Sequence, residues 1–360
     1  MVLVVDRVPE GIKIWKFKLD GSSESFYLAG EFSGAVNLKR AVSGLVGRGR
    51  INCISFRMIF GGDLFAGPVP VDTEFFRRME QLTGFFTLHL PSTMSMIEKF
   101  HEAFEGTPMM VFFENTFFRN LPDEEKYYAL PVEYSENSGI RKWGFHGIFH
   151  ENSAKTVSCG ERTVSIVFDK LTTVCAIRGR EPVSISLGYT PLEGVMSRTS
   201  SGDIDPGIVL YLMTVHKYSL HRIDDMLKEE SGFLGLTGYD ISIEDMIKFS
   251  GKDKKVDLAF QVYKSQILKY VAEGLSLLGG LDNIVFSGSG TGVLNPLIHG
   301  ILKNMSFLGV NLKSLPWESE GEVVLASSPE SRVKVYINKA RIPDIIFQMS
   351  KPFLLSKKPA

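Results

Sequence analysis

The feature that most constrains the fold is an order of strands and helices that occurs twice along the chain. The first half has three strand patterns, "VLVV", "IKIWKFKL" and "SFYLAG", then a helical pattern, "AVNLKRAVSGLV", and another strand, "INCISFRMIF". After a polar region, "VSIVFD", "TTVCAIRG" and "PVSISLG" form three strands again, and helical patterns follow from Pro206. No sequence identity links the halves, so the order of elements alone predicts an internally duplicated α/β protein.

Length and composition predict two globular domains. The chain has 360 residues, of which 44% are apolar and 22% charged, and one hydrophobic core rarely organises so many residues. The net charge of −1 gives no electrostatic basis for binding nucleic acid or a membrane surface. No apolar run reaches the ~18 residues of a membrane span, and the three cysteines are scattered without CxxC spacing. We therefore expect a cytoplasmic protein with no cysteine-based metal site.

A glycine-rich stretch, "LDNIVFSGSGTG", follows the long helical pattern of the second half. A buried strand ends at Ser287, and Gly288, Gly290 and Gly292 follow before the next helical segment. Such glycines let backbone amides approach an anion at a helix N-terminus. The stretch is either a phosphate cradle or a plain strand-to-helix turn, since glycine richness alone does not decide.

The segment "LGYTPLEGVMSRTSSGDIDP", Leu187 to Pro206, has too many glycines and prolines for a helix or strand and reads as a loop. Its "GYTPLEGV" and "SGDIDP" closely resemble the signature loop of the acetate kinase family. Further family motifs occur in matching order: "SFRMIFGG", "LHLP", "ENTFFRNLP", "GFHG" and "EESGFLGLTG". The resemblance covers essentially the whole chain.

The resemblance implies two duplicated ribonuclease-H-like α/β domains of the actin, heat-shock and sugar-kinase superfold, with a cleft between them. We expect one domain at 1–117 plus the returning C-terminal helix, 339–360, and the other at 118–338. The family transfers a phosphoryl group between ATP and a short carboxylate, normally acetate, with Mg²⁺, and forms homodimers. Expected partners are therefore a carboxylate or acyl phosphate, a nucleotide and a second copy of the chain.

Five residues are candidates for the chemistry. Phosphoryl transfer needs positive charge and hydrogen-bond donors around the transferring group. By the resemblance, Arg57 binds the carboxylate or phosphoryl group with its planar fork, and His89 and His146 stabilise charge on the phosphoryl group. Glu114 stands where the family has a catalytic aspartate, one methylene longer. An arginine expected before "SGDIDP" is replaced by Ser200, and Arg198, two residues earlier, is the candidate substitute.

The apolar positions of the family's substrate pocket are also retained. They would surround the alkyl end of the carboxylate, although core packing alone explains each of them singly. The residues are Ile59, Leu88, Phe145 and Pro191.

The nucleotide side departs from the family pattern. "VDRVPEGIK" replaces the first phosphate loop and keeps only Lys13, "VFDKLTT" replaces the second, and Lys339 stands where the family has a magnesium-linked glutamate. Candidate nucleotide contacts remain at the strand end and in the glycine-rich stretch: Asp169, Thr172, Thr173, Gly288, Gly290 and Gly292. Asp6 and Asp169 each end the first strand of one half, where they are either metal-linked carboxylates or turn residues.

Two functions follow from this pattern. The first is a divergent carboxylate kinase that uses ATP and Mg²⁺, with Asp203 or Asp205 shaping the loop. The second is a catalytically impaired homologue that binds a ligand or partner protein after losing nucleotide chemistry.

Overall fold

The structure is a computed structural model that describes residues 1–30, 34–47, 49–82, 90–157, 161–288, 294–312 and 321–355. The chain divides into two compact units, Met1–Arg119 together with Arg341–Ala360 (unit 1) and Asn120–Ala340 (unit 2). The assignment of folding domains at 117–118 and 338–339 stays a prediction. In the described ranges, no helix is long and apolar enough to cross a membrane.

Unit 1 is built on a six-stranded sheet with helices. In chain order its elements are β1 (Val2–Val8), β2 (Gly11–Phe17), β3 (Ser23–Ala29), α1 (Ala35–Val46), β4 (Cys53–Met58), β5 (Val69–Pro70), α2 (Thr73–Glu80), α3 (Leu90–Ala103) and β6 (Met109–Phe113). The strand order is β3-β2-β1-β4-β6-β5. The β1–β2–β3 pairs are antiparallel, whereas β1, β4 and β6 run parallel.

Unit 2 repeats this arrangement. Its elements are α4 (Asp123–Lys126), α5 (Val132–Ser138), α6 (Gly147–Thr156), β7 (Arg162–Phe168), β8 (Thr172–Arg178), β9 (Glu181–Ile185), α7 (Pro206–Thr214), α8 (Leu220–Glu229), α9 (Gly232–Thr237), α10 (Ile243–Phe249), α11 (Lys254–Leu278), β10 (Asn283–Ser287), α12 (Asn295–Asn304), β11 (Val323–Leu325) and β12 (Lys334–Asn338). Its strand order is β9-β8-β7-β10-β12-β11, which matches the unit 1 order strand by strand, with β7 in the place of β1. Antiparallel and parallel pairs also correspond, so the predicted duplicated α/β fold is confirmed.

The C-terminal helix α13 (Ile342–Leu355) belongs to unit 1, where it packs on β1 and β4. Phe347 stacks on Phe17 with ring centroids 4.5 Å apart. The buried hydroxyl of Ser350 lies 2.8 Å from that of Ser55 on β4. The helix therefore closes one face of the unit 1 sheet, and the end of the chain returns to its first half.

Candidate active site

In unit 1 the predicted residues Asp6, Arg57 and Glu114 contact one another. They lie near the carboxyl ends of β1, β4 and β6, three neighbouring parallel strands, so the sheet itself brings them together. Arg57 Nε donates to Glu114 Oε1 at 2.6 Å, and Arg57 Nη1 donates to Asp6 Oδ2 at 3.1 Å. Glu114 is fully buried, whereas Arg57 and Asp6 are partly exposed. The carboxyl ends of parallel strands are where α/β proteins usually bind ligands.

The loop after β4 is held to the end of β6 by Asn115. Its buried side chain accepts from the amide of Gly61 at 2.8 Å and donates to the carbonyl of Gly62 at 2.9 Å. Gly62 has φ +57, and a Cβ on Gly61 would lie 2.5 Å from the Phe113 ring. Ile59, a predicted pocket residue, is partly buried at the start of this loop. The two glycines thus allow the close turn that follows Arg57 and Ile59.

In unit 2, His146 lies in a second polar group. It precedes α6 with φ 60 and ψ 25, in the left-handed region that few non-glycine residues adopt. Its Nδ1 is 3.0 Å from Thr173 Oγ1, and that oxygen is also 2.9 Å from Nε2 of His150. His150 Nδ1 is 2.9 Å from Ser165 Oγ. All four residues are buried.

His150 is neutral because burial removes its ring from water, and the neighbouring His146 adds to this effect. Together these lower the pKa of His150 well below its usual range. His150 was not predicted as a functional residue, although it lies three residues after the "GFHG" motif. Its spacing of four residues from His146 on one helix was the available signal.

The signature loop is held by its own acidic residues. Asp203 Oδ1 accepts from the amide of Gly194 at 2.7 Å, and the amide of Asp203 donates back to the carbonyl of Gly194 at 2.9 Å. Tyr270 donates to the other oxygen of Asp203. Asp205 caps α7 by accepting from the amide of Gly207 at 2.7 Å. Both aspartates therefore shape the loop.

Arg198 and Ser200 lie in different environments within this loop. Arg198 Nε is 3.2 Å from Asp240 Oδ1, and their side chains are 61% and 60% exposed. Ser200 is buried, and its amide donates to Ser197 Oγ at 3.1 Å. Arg198 thus forms a surface ion pair, and its role as a substitute for the missing arginine stays a prediction. Of the remaining pocket residues, Phe145 is buried and Pro191 exposed.

Four of the predicted nucleotide contacts are described, and they lie around the ends of β7, β8 and β10: Asp169, Thr172, Thr173 and Gly288. Gly288 has φ +107, and a Cβ there would lie 2.0 Å from the carbonyl oxygen of Phe168, so only glycine fits where β10 ends beside β7. Asp169 follows β7 in the turn to β8. The hydroxyl of Thr172 is 2.5 Å from that of Tyr263, and Thr173 Oγ1 contacts the two histidines, so both hydroxyls already have partners within unit 2.

Four predicted residues, Leu88, His89, Gly290 and Gly292, lie outside the described residues. Their predicted roles stay predictions.

The acidic side chains suit a metal that arrives with a phosphate ligand. The described ranges contain no group of three or more His, Cys, Asp or Glu side chains that could hold a metal ion. Mg²⁺, however, is commonly bound by one or two carboxylates and completes its shell with phosphate oxygens and water. Asp169, which is partly buried and follows β7, and Asp6, one oxygen of which contacts Arg57, are the two carboxylates near strand ends that could supply such ligands.

Comparisons with known proteins agree with the motifs. Residues 36–346 match the model of the Acetokinase family. The acetate kinase of Clostridium novyi (strain NT) is 30% identical over 293 residues, 79% of this chain and 73% of that protein. The acetate kinase of Bacillus mycoides (strain KBAB4) is 32% identical over 296 residues, 80% of this chain and 74% of that protein.

A solved structure confirms the fold. The crystal structure of Porphyromonas gingivalis acetate kinase superposes with a TM-score of 0.88 and 24% identity, over 98% of this chain and 99% of that one. Family match, identity and fold agree with the resemblance read from the motifs. The chain therefore belongs to the acetokinase family.

Proposed function

We propose that this protein transfers the γ-phosphoryl group of ATP to acetate or a similarly short carboxylate, forming an acyl phosphate and ADP. The observation that carries the proposal is the Arg57 guanidinium held between Asp6 and Glu114 in a member of this family. A guanidinium orientated by two carboxylates is a preorganised donor for an anion. Membership of the family supplies the reaction class.

In the proposed reaction, a carboxylate oxygen of acetate attacks the γ-phosphorus, and the bond from that phosphorus to the β,γ-bridging oxygen breaks. The electron pair leaves with ADP. Arg57 binds the carboxylate, and His146 donates a hydrogen bond to the transferring group, where negative charge is spread over phosphoryl oxygens. His89 and Arg198 are further candidates for that stabilisation.

Glu114 acts on this reaction through Arg57. Its carboxylate is buried and lies 2.6 Å from Arg57 Nε, so it fixes the direction of the guanidinium. The additional methylene relative to aspartate gives it reach toward the arginine. We therefore assign Glu114 and Asp6 as positioning residues for Arg57.

Asp6 and Asp169 are the residues that would hold Mg²⁺ accompanying ATP. When bound, the metal would offset negative charge on the phosphate oxygens. Gly288 would bring backbone amides close to the nucleotide, as the glycine-rich strand end allows.

We also propose that the protein forms a homodimer through α7. This helix has no buried residue, although its sequence "PGIVLYLMT" is mostly apolar. Ile208, Leu210 and Tyr211 are 46%, 63% and 53% exposed. An apolar helix left uncovered in a monomer marks an interaction surface, and a second copy of the same helix can cover it by twofold symmetry. The working compartment we propose is the cytoplasm, where the buried Cys53 and Cys175 would stay reduced.

The function is tested by trapping acyl phosphate with hydroxylamine after incubation with ATP, Mg²⁺ and acetate, and by calorimetry with ATP alone. We expect acyl hydroxamate to accumulate and ATP to bind. Absence of both would contradict the kinase and leave the impaired homologue. Binding of ATP without hydroxamate would show that acetate is not the acceptor.

A further inference from the structure

A series of three hydrogen bonds links His146 to Ser165 and His150, two residues with no role so far, through Thr173, which was predicted only as a nucleotide contact. It passes from Ser165 to His150, from His150 to Thr173 and from Thr173 to His146, with donor–acceptor distances of 2.9, 2.9 and 3.0 Å. We propose that this series of hydrogen bonds fixes which ring nitrogen of His146 carries the proton. The proposal rests on the function proposed above. Ser165, Thr173 and His150 are in this account positioning residues.

The pairing of β7 with β8 and the packing of α6 place these four side chains side by side. Ser165 on β7 pairs in register with Cys175 on β8, and Thr173 lies two residues from Cys175. Side chains two apart on a strand share a face, so Ser165 and Thr173 are diagonal neighbours. Helix α6 packs on β7. His150, one turn after His146, is thereby inserted between the two hydroxyls.

The number of hydrogens on these side chains allows only two directions for the series of hydrogen bonds. The Thr173 hydroxyl has one hydrogen, but two ring nitrogens contact its oxygen, so it donates to one ring and accepts from the other. His150 is neutral and carries its single ring hydrogen on one nitrogen. Either Ser165 donates to His150, His150 to Thr173 and Thr173 to His146, or every bond is reversed.

Burial of Ser165 selects the first direction. In the described part of the chain, its hydroxyl oxygen has His150 Nδ1 as its hydrogen-bond partner and Ser165 is fully buried. Under the reversed direction Ser165 would accept from His150, and its own hydrogen would point at no acceptor. A buried donor left unpaired costs about 1–3 kcal/mol, which is about a 5-fold to 150-fold bias.

The selected direction determines the state of His146. Thr173 donates to Nδ1, so the neutral ring carries its hydrogen on Nε2. From that nitrogen the ring can donate to a phosphoryl oxygen, which is the role proposed for His146. A ring protonated on Nδ1 alone would present a lone pair to the anion and repel it.

Tautomers are measured directly by long-range proton–nitrogen correlation spectra of the full chain labelled with nitrogen-15 histidine. His146→Gln and His150→Gln assign the two signals. At a pH where both rings are neutral, we expect both to show the Nε2–H pattern in the unmodified protein. An Nδ1–H pattern in either ring would overturn the proposal.

Ser165→Ala and Thr173→Ser form a matched pair. Without the Ser165 hydroxyl the two directions have similar free energies, so the Nδ1–H form of His150 should rise from a minor share to one comparable with the Nε2–H form. Thr173→Ser keeps its hydroxyl and should retain the original pattern. An unchanged His150 pattern in Ser165→Ala would overturn the proposal. The spectra need no turnover, so they stand apart from the test of the kinase function.

Discussion

Arg57 holds its guanidinium between two carboxylates, one of which is fully buried. Removing the arginine would have two effects at once. It would remove the group proposed to bind the carboxylate substrate, and it would break the ion pair of a buried glutamate, which is strongly destabilising. A useful experiment at this residue has to separate binding from stability.

Arg57→Ala should lower the free energy of unfolding by about 3 kcal/mol, because the Glu114 carboxylate stays buried without this ion pair. The variant that combines Arg57→Ala with Glu114→Gln should regain most of this stability, because residue 114 then carries no charge. Both proteins should still lose about 100-fold or more in kcat/KM for acetate, since two charge-assisted hydrogen bonds to the substrate are gone. Urea unfolding and steady-state kinetics measure the two effects.

Glu114→Gln alone is the control for this pair. It keeps Arg57 and should retain measurable acetate turnover. A double variant with native stability and an unchanged KM for acetate would mean that Arg57 serves structure alone.

At this scale the sequence predicted Arg57, Glu114 and Asp6 from motif positions and strand ends. It did not predict that they contact one another, because that depends on the order of β1, β4 and β6 in the sheet. His150 was missed for a similar reason. Its contact with Thr173 depends on the register of β7 with β8, and residue spacing alone does not contain that register.

At the scale of elements, Gly288 joins β10 to the glycine-rich stretch under two constraints. Its φ is +107, and a Cβ would collide with the Phe168 carbonyl at 2.0 Å. Gly179 is a matched control, because its φ is +62 but no atom lies within 4 Å of its Cβ position. Gly179→Ala should cost about 1 kcal/mol from backbone strain, and Gly288→Ala about 2 kcal/mol more from the clash.

Thermal and urea unfolding of the two glycine variants test this expectation. Equal losses of stability in Gly179→Ala and Gly288→Ala would contradict the close approach of Gly288 to the Phe168 carbonyl. A turn that needs glycine was one of the two readings of this stretch from the sequence. That Gly288 lies against the Phe168 carbonyl follows from the parallel pairing of β10 with β7, which the sequence does not contain.

Asp282 links the start of β7 to the start of β10. It contacts the Arg162 guanidinium and accepts from the amides of Glu161 and Arg162, and these bonds lower its pKa from 3.8 to about 2. Between these two pKa values, the Asp282 carboxyl binds a proton more readily in the unfolded chain than in the folded protein. The stability that Asp282 contributes is therefore complete above pH ~4 and is lost toward pH ~2.

Asp282→Asn should accordingly lower stability by about 1 kcal/mol at neutral pH, a value reduced for the partial exposure of the pair. The difference in the free energy of unfolding between Asp282→Asn and the unmodified protein, measured by urea unfolding, should narrow as the pH falls from ~4. A difference that is constant with pH would contradict the assigned charge interaction.

At the scale of the whole molecule, the repeated order of elements was readable from the sequence because each half alternates strand and helix patterns clearly. The pairing of β11 with β12 was not readable, since β11 has only three residues. The short β5, with two residues, was missed for the same reason. Such strands are defined by their neighbours and not by their own pattern.

The exposed face of α7 predicts a dimer at micromolar concentration. Leu210→Glu places a charge in the centre of that face and should shift the protein to monomer in sedimentation velocity. Val36→Glu on α1 is the matched control, because Val36 is 73% exposed and belongs to unit 1. A wild-type monomer, or dissociation by both substitutions alike, would contradict dimerisation through α7.

The proposed reaction itself is followed most directly by phosphorus NMR of the purified protein with ATP, Mg²⁺ and acetate. We expect an acyl phosphate signal and the ADP signals to grow at equal rates as ATP declines. We also expect both rates to fall about 100-fold or more when the variant combining Arg57→Ala and Glu114→Gln replaces the wild type. Decline of ATP to ADP with inorganic phosphate only, or no change in any signal, would contradict the transfer of the phosphoryl group to a carboxylate.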